Sequence, residues 1–477
     1  MTKTITLGPV TRIEGHLDIE VTLETADGVQ RVVDARVSGT MFRGFEMILK
    51  GKHPRDAIHL TQRICGVCPT SHAMAASMTL EAAYGSNAAP PPNGRILRNL
   101  ILGADFLQSH VLHFYHLALL DYVDSPGILG SSATAPRYVA PDAISGSEAA
   151  GLLAHYVKAM DIRRKTHQMG AIFGGKMPCT PVFVAGGCTQ TLTDTLDLAT
   201  AGEPTASERI AQFLKLLGEV RAFIDAAYLP DVQFLMRRFP AYSQIGRGCG
   251  NLLAFGAFDL DGTGSKKLLR RGVSTKGESG PLDVGQITEH VTHSRYREAG
   301  GALNPRDGVT EPDADKADAY SWIKAPRYLN QPHEVGPLAR MWIAGRYRRG
   351  TSVMDRLMAR ALETRQIASA MVGWLKELSV DAPTSVGFRH AGSGAGIGLS
   401  EAPRGALAHW IQFVDGSIQR YQVVTPTAWN GSPMDALGQK GPIEEALIDT
   451  PVRDKDEPLE LLRVVHSFDP CLACSVH

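Results

Sequence analysis

The sequence of 477 residues has no excess of charge of either sign and no long apolar run. Lysine plus arginine and aspartate plus glutamate each number 49, so the formal net charge is zero, and no run of like charges marks a nucleic-acid surface. No stretch offers the ~18 apolar residues of a membrane-spanning helix, and residues 1–8 lack the apolar core of a signal peptide. We therefore expect a globular protein that binds no nucleic acid and leaves the cytoplasm only with another chain.

Cysteine is scarce as well, with seven residues, an odd number. Four of them form two Cys-x-x-Cys pairs, Cys65 with Cys68 and Cys471 with Cys474, and the other three are scattered. This distribution does not suit a disulfide framework. It favours reduced thiols that bind a metal or lie buried as small apolar groups. The second pair lies in the last seven residues of the chain and is followed by His477.

Four thiolates from two such pairs usually indicate a structural zinc site, although soft sulfur also suits iron-sulfur clusters and nickel. A structural zinc-binding module is therefore one interpretation. Against it stand the more than four hundred residues between the pairs, and the glycine and proline residues that place both pairs on turns. Chain ends are usually frayed. A C-terminus that carries two thiols and a histidine must therefore be held by another part of the protein.

The apolar pattern predicts several helices and a few small sheets. Alternating apolar and polar residues predict a β-hairpin within residues 5–37, and helical periodicity predicts a long buried helix at 95–124. On that helix His110, His113 and His116 drift by about 60° at each step, which favours core histidines over a metal site. Further helices are predicted at 147–172, 205–228 and 351–378, and short strands with long loops at 240–335.

The two cysteine motifs, R-I-C-G-V-C-P-T-S-H at 63–72 and D-P-C-L-A-C-S-V-H at 469–477, resemble the signatures of the nickel-iron hydrogenase large subunit. The segments T-R-I-E-G-H at 11–16, A-Y-S-W-I-K-A-P-R-Y at 319–328 and E-A-P-R-G at 401–405 carry the same resemblance. It implies one domain over residues 1–477, mainly α-helical with small peripheral β-sheets (α+β), whose central helix bundle surrounds buried metals.

The resemblance also implies a ligand set for nickel and iron. Cys65 and Cys471 would be terminal ligands of nickel, and Cys68 and Cys474 would bridge nickel to iron. The iron would carry two cyanides and one carbon monoxide, which the protein must hold by hydrogen bonds. The candidates for those bonds are Arg404, the backbone near Pro403 and the hydroxyl of Thr427.

A second, harder ion is implied at the C-terminus. Glu46, the carbonyl of Val423 and His477 would bind magnesium or iron and so clamp the tail. Taken alone, Glu46 is more simply a partner of a helix dipole. Most family members lose a C-terminal extension after this histidine. The present sequence stops there, so we expect either the processed form or a variant made without the extension.

The expected reaction is reversible, heterolytic cleavage of dihydrogen, mainly in the uptake direction. A base must lie within about 3 Å of the reacting atoms, and either Cys471 or Arg404 could serve. Because the pKa of arginine lies above ~12, Cys471 is the favoured base. Glu14 would then take the proton, as the resemblance implies, and Asp469 would hold Arg404 in place.

The sequence departs from the family pattern at two positions. Ser109 stands where an aspartate usually helps to surround Arg404, and Cys179 replaces a histidine near the exit of the electrons. A dihydrogen-sensing regulatory hydrogenase is an alternative with the same fold, but the small side chains of Val67 and Leu117 favour a turnover enzyme. The related quinone-site subunit of respiratory complex I lacks the cysteine pairs.

The electrons need an acceptor outside this chain, because no cysteines are left in a cluster-binding pattern. We expect an iron-sulfur small subunit, bound in a heterodimer or a higher oligomer. By family habit this partner carries a twin-arginine export signal and passes electrons to a membrane acceptor such as cytochrome b. The expected location is the periplasmic side of the cytoplasmic membrane, and the alternative is the cytoplasm.

Overall fold

The computed structural model describes residues 2–85, 88–124, 138, 140–195, 202–298 and 300–477. Long helices form its centre, and short strands lie around them, which confirms the predicted fold class. The prediction of a single domain over the whole chain stays a prediction. Among the helices of the described ranges, none combines the length and the apolar character that crossing a bilayer requires. The α-helices are α1 (Phe45–Leu49), α2 (Ala57–Thr61), α3 (Pro69–Tyr84), α4 (Pro92–Leu112), α5 (Gly146–Gly174), α6 (Ala206–Phe223), α7 (Leu229–Arg238), α8 (Pro337–Ile343), α9 (Val353–Glu377), α10 (Pro426–Asn430), α11 (Pro442–Leu447), α12 (Leu459–Phe468) and α13 (Leu472–Ser475).

The central helix α4 is buried along almost its whole length and packs against α5 and α9. It continues into π-helical turns at His113–Ala118, where the prediction had a single helix as far as residue 124. The helices predicted at 147–172 and 351–378 are confirmed as α5 and α9. The helix predicted at 205–228 corresponds to α6 followed by π-helical turns, Ile224–Tyr228.

His110 and His113 are core residues, as predicted, whereas His116 is half-buried. His110 Nε2 lies 2.9 Å from a carboxylate oxygen of Glu363, and His113 Nε2 donates to the carbonyl of His466 at 2.6 Å. Burial lowers the pKa of His110 to about 4, so its ring is neutral and donates one proton. Both histidines therefore satisfy buried acceptors rather than bind a metal.

The predicted N-terminal hairpin is confirmed, and two more strands extend it. The strands are β1 (Thr2–Leu7), β2 (Leu17–Ala26), β3 (Val29–Gly39), β4 (Phe183–Val184), β5 (Gly187–Cys188), β6 (Leu252–Ala254), β7 (Ala257–Asp259), β8 (Lys267–Leu269), β9 (Gly272–Thr275), β10 (Glu278–Gly280), β11 (Ile287–His290), β12 (Ala325–Tyr328), β13 (Gly394–Ala402), β14 (Gly405–Val414), β15 (Ser417–Val424) and β16 (Pro451–Val452). The first sheet is antiparallel with the order β1-β2-β3-β16, and a second has the order β13-β14-β15. The short strands predicted at 240–335 are confirmed as β6 to β12.

Close packing of β13 on α3 fixes the second sheet against the helix that directly follows Cys68. Glycine allows this approach, because a Cβ added at Gly398 would lie 2.3 Å from the carbonyl oxygen of Ala75. The turn from β13 to β14 carries Arg404, and the segment from the end of α12 through α13 carries the cysteine tail. The fold thus brings three distant parts of the sequence to one buried point.

Candidate metal centre

The four paired cysteines meet in the interior of the protein. Their sulfur atoms all lie within 4.8 Å of one another, and all four side chains are buried. The sulfur of Cys65 is 3.3 Å from that of Cys471, and the sulfur of Cys68 is 3.3 Å from that of Cys474. These separations far exceed the ~2.05 Å of a disulfide, so the four are free thiols.

Local turns aim the sulfur atoms at one point. Cys68 precedes α3, with Pro69 at the start of the helix, and the backbone amide of Cys68 donates to the sulfur of Cys65 at 3.4 Å. In the tail, Asp469 ends α12 in a left-handed conformation with φ of 60°, which turns the chain toward Cys471. The amide of Cys471 donates to the hydroxyl of Thr427 at 2.9 Å.

The electrostatics of the cluster suit a cation. Hydrogen bonds from the thiols of Cys471, Cys474 and Cys68 lower the pKa of Cys65 well below its usual value. Burial raises the pKa of Cys474 well above its usual value. Four buried sulfurs cannot all ionise without a positive charge among them. Such a donor set is soft and fits nickel and iron.

Glu14 lies against the cysteine tail and not at a solvated strand end. Its carboxylate accepts hydrogen bonds from the amide of Ala473 at 2.9 Å and from the thiol of Cys471 at 3.3 Å. Gly15 permits this approach: its φ is +84°, and an added Cβ would lie 2.7 Å from the Cβ of Leu472. Burial, followed by the charge of Cys65, raises the pKa of Glu14.

Arg404 is buried beside the cluster and is paired with Asp469, as the sequence predicts. The guanidinium lies 2.9 Å from the carboxylate of Asp469, and its Nε donates to the Asp469 carbonyl at 3.0 Å. Although burial lowers it, the charges of Asp469 and Cys471 raise the pKa of Arg404 well above its usual value. Ser109 accepts from the same guanidinium only at 3.5 Å, so it is a weak substitute for a carboxylate.

Pro403 is held by a buried charge network that the sequence analysis did not identify. Arg340 donates to the carbonyl of Pro403 at 2.8 Å and to that of Ala402 at 3.0 Å. The same guanidinium pairs with both carboxylate oxygens of Glu363, at 2.6 and 2.8 Å, and with Glu401 at 2.7 Å. This network fixes the turn that carries Arg404.

The predicted second ion site is partly assembled by the side chains present. His477 Nε2 lies 3.3 Å from a carboxylate oxygen of Glu46, and the amide of Val423 donates to the same oxygen at 2.8 Å. The carbonyl of Val423 stays a predicted ligand. Lys324, which the sequence analysis missed, lies 2.9 Å from the other oxygen of Glu46 and supplies positive charge there. It belongs to the motif at 319–328, which could have drawn attention to it.

A histidine pair beside Cys474 was also missed. Nε2 of His72 lies 3.5 Å from the sulfur of Cys474, and its Nδ1 lies 3.2 Å from Nε2 of His409. His409 Nδ1 in turn lies 2.8 Å from the hydroxyl of Tyr421. His72 could have been identified from its position in the first cysteine motif. No sequence feature distinguished His409 from the other residues of its strand.

Two further positions of the sequence analysis, Cys179 and Val67, contact residues of the first cysteine motif or belong to it. Cys179 is half-buried, and its sulfur accepts from the guanidinium of Arg63 at 3.2 Å. Val67 is half-buried, and its amide donates to the sulfur of Cys65 at 3.2 Å. Arg63 and Val67 both belong to the first cysteine motif, so Cys179 borders the loop that presents Cys65.

Comparisons with known proteins agree with this geometry. The family described as Nickel-dependent hydrogenase matches residues 43–143, 132–350 and 346–477, and a family described as HoxL-like matches residues 4–38. The chain is 42% identical over 507 residues to the periplasmic [NiFeSe] hydrogenase large subunit of Desulfomicrobium baculatum, covering 99% of this chain and 94% of the relative. It is 34% identical over 585 residues to the uptake hydrogenase large subunit of Rhizobium leguminosarum bv. viciae, covering 100% and 95%.

Solved structures show the same fold. A structure of the H2-activated [NiFeSe] hydrogenase of Dm. baculatum superposes with a TM-score of 0.92 at 41% identity, covering 100% of both chains. A structure of the reduced Ni-Fe-Se hydrogenase of D. vulgaris Hildenborough gives a TM-score of 0.92 at 40% identity, again over 100% of both. Those names include selenium, whereas all four cluster positions here are cysteine. The chain therefore belongs to the nickel-dependent hydrogenases and is a catalytic large subunit of that family.

Proposed function

We propose that this chain catalyses the reversible heterolytic cleavage of dihydrogen, mainly in the uptake direction, at a nickel-iron pair on its four paired cysteines. The observation that carries the proposal is the convergence of four buried free thiols, with Glu14 hydrogen-bonded to one of them and Arg404 paired beside them. A bound nickel-iron pair would supply the two-electron redox chemistry of the reaction. The side chains supply positions, hydrogen bonds and a path for the proton.

The four cysteines would divide between nickel and iron as the family resemblance implies. Cys65 and Cys471 would bind nickel alone, and Cys68 and Cys474 would bridge it to an iron that carries two cyanides and one carbon monoxide. The hydroxyl of Thr427 already accepts from the amide of Cys471, so its own proton is free to donate to a cyanide. Arg404 and the backbone near Pro403 are the further donors.

The proton leaves through Cys471 and Glu14. The 3.3 Å between the sulfur of Cys471 and the carboxylate of Glu14 is within reach for transfer. Arg404 is a poor base in this setting, because the carboxylate and the carbonyl of Asp469 both hold its guanidinium. Its role is to position and polarise.

A magnesium or iron ion at Glu46, the carbonyl of Val423 and His477 would fasten the tail. Support comes from the convergence of Glu46 and His477 at one buried place. Carboxylate and carbonyl oxygens suit a hard cation. In this arrangement the second ion has no part in the proton path, which runs on the Glu14 side of the tail.

The electrons pass to an iron-sulfur small subunit in a heterodimer or a higher oligomer. The partner then delivers them to a membrane acceptor such as cytochrome b on the periplasmic side. The name of the D. baculatum relative, a periplasmic large subunit, supports this location over the cytoplasm. The pair of exposed Arg63 and half-buried Cys179 beside the Cys65 loop is the exit we propose for the electrons.

The test uses the chain purified together with its partner. The wild-type complex should reduce a viologen dye with dihydrogen, and Glu14→Gln should lower kcat by about 10²-fold or more, since general acid-base groups contribute that much. The matched control is Glu20→Gln, an exposed glutamate on β2 3.8 Å from Arg36, which should not change the rate.

Three results would contradict the proposal in different ways. Unchanged turnover in Glu14→Gln would remove Glu14 from the proton path. Nickel and iron without appreciable turnover in the wild type would favour the dihydrogen sensor. A complex that contains zinc alone would favour the structural module and end the catalytic interpretation.

A further inference from the structure

A buried charge cluster ties the loop that carries Glu14 to the rest of the protein. Asp121 lies at its centre, and its carboxylate pairs with Arg12 and with Nδ1 of His466, the latter at 2.5 Å. The backbone carbonyl of Asp121 also accepts two hydrogen bonds from Arg463, at 3.0 and 2.8 Å. Three basic side chains therefore meet at one aspartate.

The ring of His466 faces an acceptor on both sides. Its Nδ1 faces the carboxylate of Asp121, and its Nε2 lies 2.8 Å from the backbone carbonyl oxygen of Thr11. Neither partner can donate, so both hydrogen bonds form only when both ring nitrogens carry a proton. Although burial raises it, the charges of Arg12 and His466 lower the pKa of Asp121 to about 2, so the aspartate is ionised. Held between these two acceptors, His466 donates one hydrogen bond from each ring nitrogen.

One end of the Glu14 loop is fastened by this cluster. Thr11 accepts from His466, and the next residue, Arg12, donates to the carbonyl of Leu117 and to the carboxylate of Asp121. Arg12 has a φ of 55°, a left-handed conformation that few residues other than glycine adopt. The side-chain bonds of Arg12 hold this unusual turn two residues before Glu14.

The other end of the loop is fastened by the cysteine tail. The carbonyl of Glu14 accepts from the amide of Leu472 at 2.7 Å, and its carboxylate accepts from the amide of Ala473. The same helix, α12, carries His466 and leads into this tail. The position of Glu14 relative to Cys471 is therefore set by bonds at both ends of residues 11–14.

We propose that Asp121 is a positioning residue for proton transfer from Cys471 to Glu14, acting through Arg12 and the protonated His466. This inference rests on the proposed function. Proton transfer needs hydrogen-bond reach, and the present separation of 3.3 Å leaves little tolerance. His466 itself is not a relay in this scheme, because both of its ring protons are committed to Asp121 and Thr11.

The first test is Asp121→Asn in the complex with its metals and its partner. The NH2 group of the new asparagine would face Arg12 or His466. Because both of these side chains are donors, one of the two hydrogen bonds that hold the loop is lost. We expect kcat for dihydrogen oxidation to fall about tenfold, within the range that a misplacement of 1 Å produces. We also expect a larger solvent deuterium isotope effect on kcat, an unchanged KM for dihydrogen and unchanged nickel and iron content.

The matched control is Asp435→Asn. Asp435 is equally buried and pairs with Arg327 at 2.6 Å, and its other bonds go to residues 437 and 439 of its own loop. This variant should lose stability but keep the kcat and the isotope effect of the wild type. A general effect of removing a buried aspartate would instead appear in both variants, and that result would overturn the proposal.

The proposal and the proposed function fail in distinguishable ways. A wild-type complex that does not oxidise dihydrogen contradicts the function itself. An active wild type with an Asp121→Asn variant of equal kcat and isotope effect contradicts only the positioning role. If that variant does not assemble, the test is neutron diffraction of the deuterated wild-type protein, which locates the deuterons on the ring of His466. Deuterons on both nitrogens of His466 are expected, and one bare nitrogen overturns the inference.

Discussion

Replacement of Glu363 by glutamine tests the buried charge network behind the Arg404 turn. In the native protein Glu363 accepts two bonds from Arg340 and one from His110. The side chain of glutamine has one carbonyl oxygen, which accepts, and one NH2 group, which donates. The NH2 group would therefore face another donor, either Arg340 or His110. The charge of Arg340 would keep only Glu401 as an ionic partner.

The expected loss can be worked out in two ways. Although burial raises it, Arg340 lowers the pKa of Glu363 from 4.5 to about 2. At 1.36 kcal/mol per unit, this shift corresponds to about 3 kcal/mol of native stability. Breaking a buried pair by removing one partner costs about 3–5 kcal/mol. We expect Glu363→Gln to lower the free energy of unfolding by about 3 kcal/mol, because the value from the pKa shift falls at the lower end of the range for a broken buried pair.

The assay is urea unfolding followed by pulse proteolysis of the purified complex. Because the folded pKa lies below the unfolded one, the stabilisation is complete above pH 4.5 and is lost as the pH falls toward 2. The gap between wild type and variant should therefore be about 1 kcal/mol smaller at pH 4 than at pH 7. The control is Glu298→Gln, an exposed partner of Lys316, for which we expect less than about 0.5 kcal/mol. Equal effects of the two substitutions would refute the reasoning.

Three further predictions concern packing, the tail amide and the metals. Gly398→Ala should lower stability by about 1–3 kcal/mol in the same assay, because its Cβ would overlap the Ala75 carbonyl, whereas Gly392→Ala, at a position with open space, should be neutral. Thr427→Val should lower the nickel content of the purified complex, because the buried amide of Cys471 loses its acceptor, whereas Thr427→Ser should keep it. Chelation of the metals should increase proteolysis within residues 469–477, and equal cleavage with and without metal would contradict a metal-held tail.

The site residues that lie in short contiguous motifs could be predicted from the sequence. The two Cys-x-x-Cys pairs, Glu14 in its motif and the Arg404 turn all lie in contiguous strings, and the structure places them together. Long periodic segments such as α5 and α9 were also predictable, because their burial pattern repeats along one element.

Pairings between distant single charges were not predictable. Asp121 and His466 lie 345 residues apart, and neither belongs to one of the five motifs that carry the family resemblance. Only tertiary packing makes them neighbours. The same holds for β16, whose two residues join the N-terminal sheet by pairing with Gln30 and Arg31. A strand of two residues leaves no periodic signal.

The identity of the metals is the central claim, and elemental analysis with infrared spectroscopy on one sample of the purified complex tests it most directly. We predict nickel and iron together, with sharp cyanide and carbon monoxide bands between the amide and C-H regions. Zinc with no bands in that window would contradict the account, because the four thiols would then hold a structural ion and the proton path through Glu14 would have no reaction to serve.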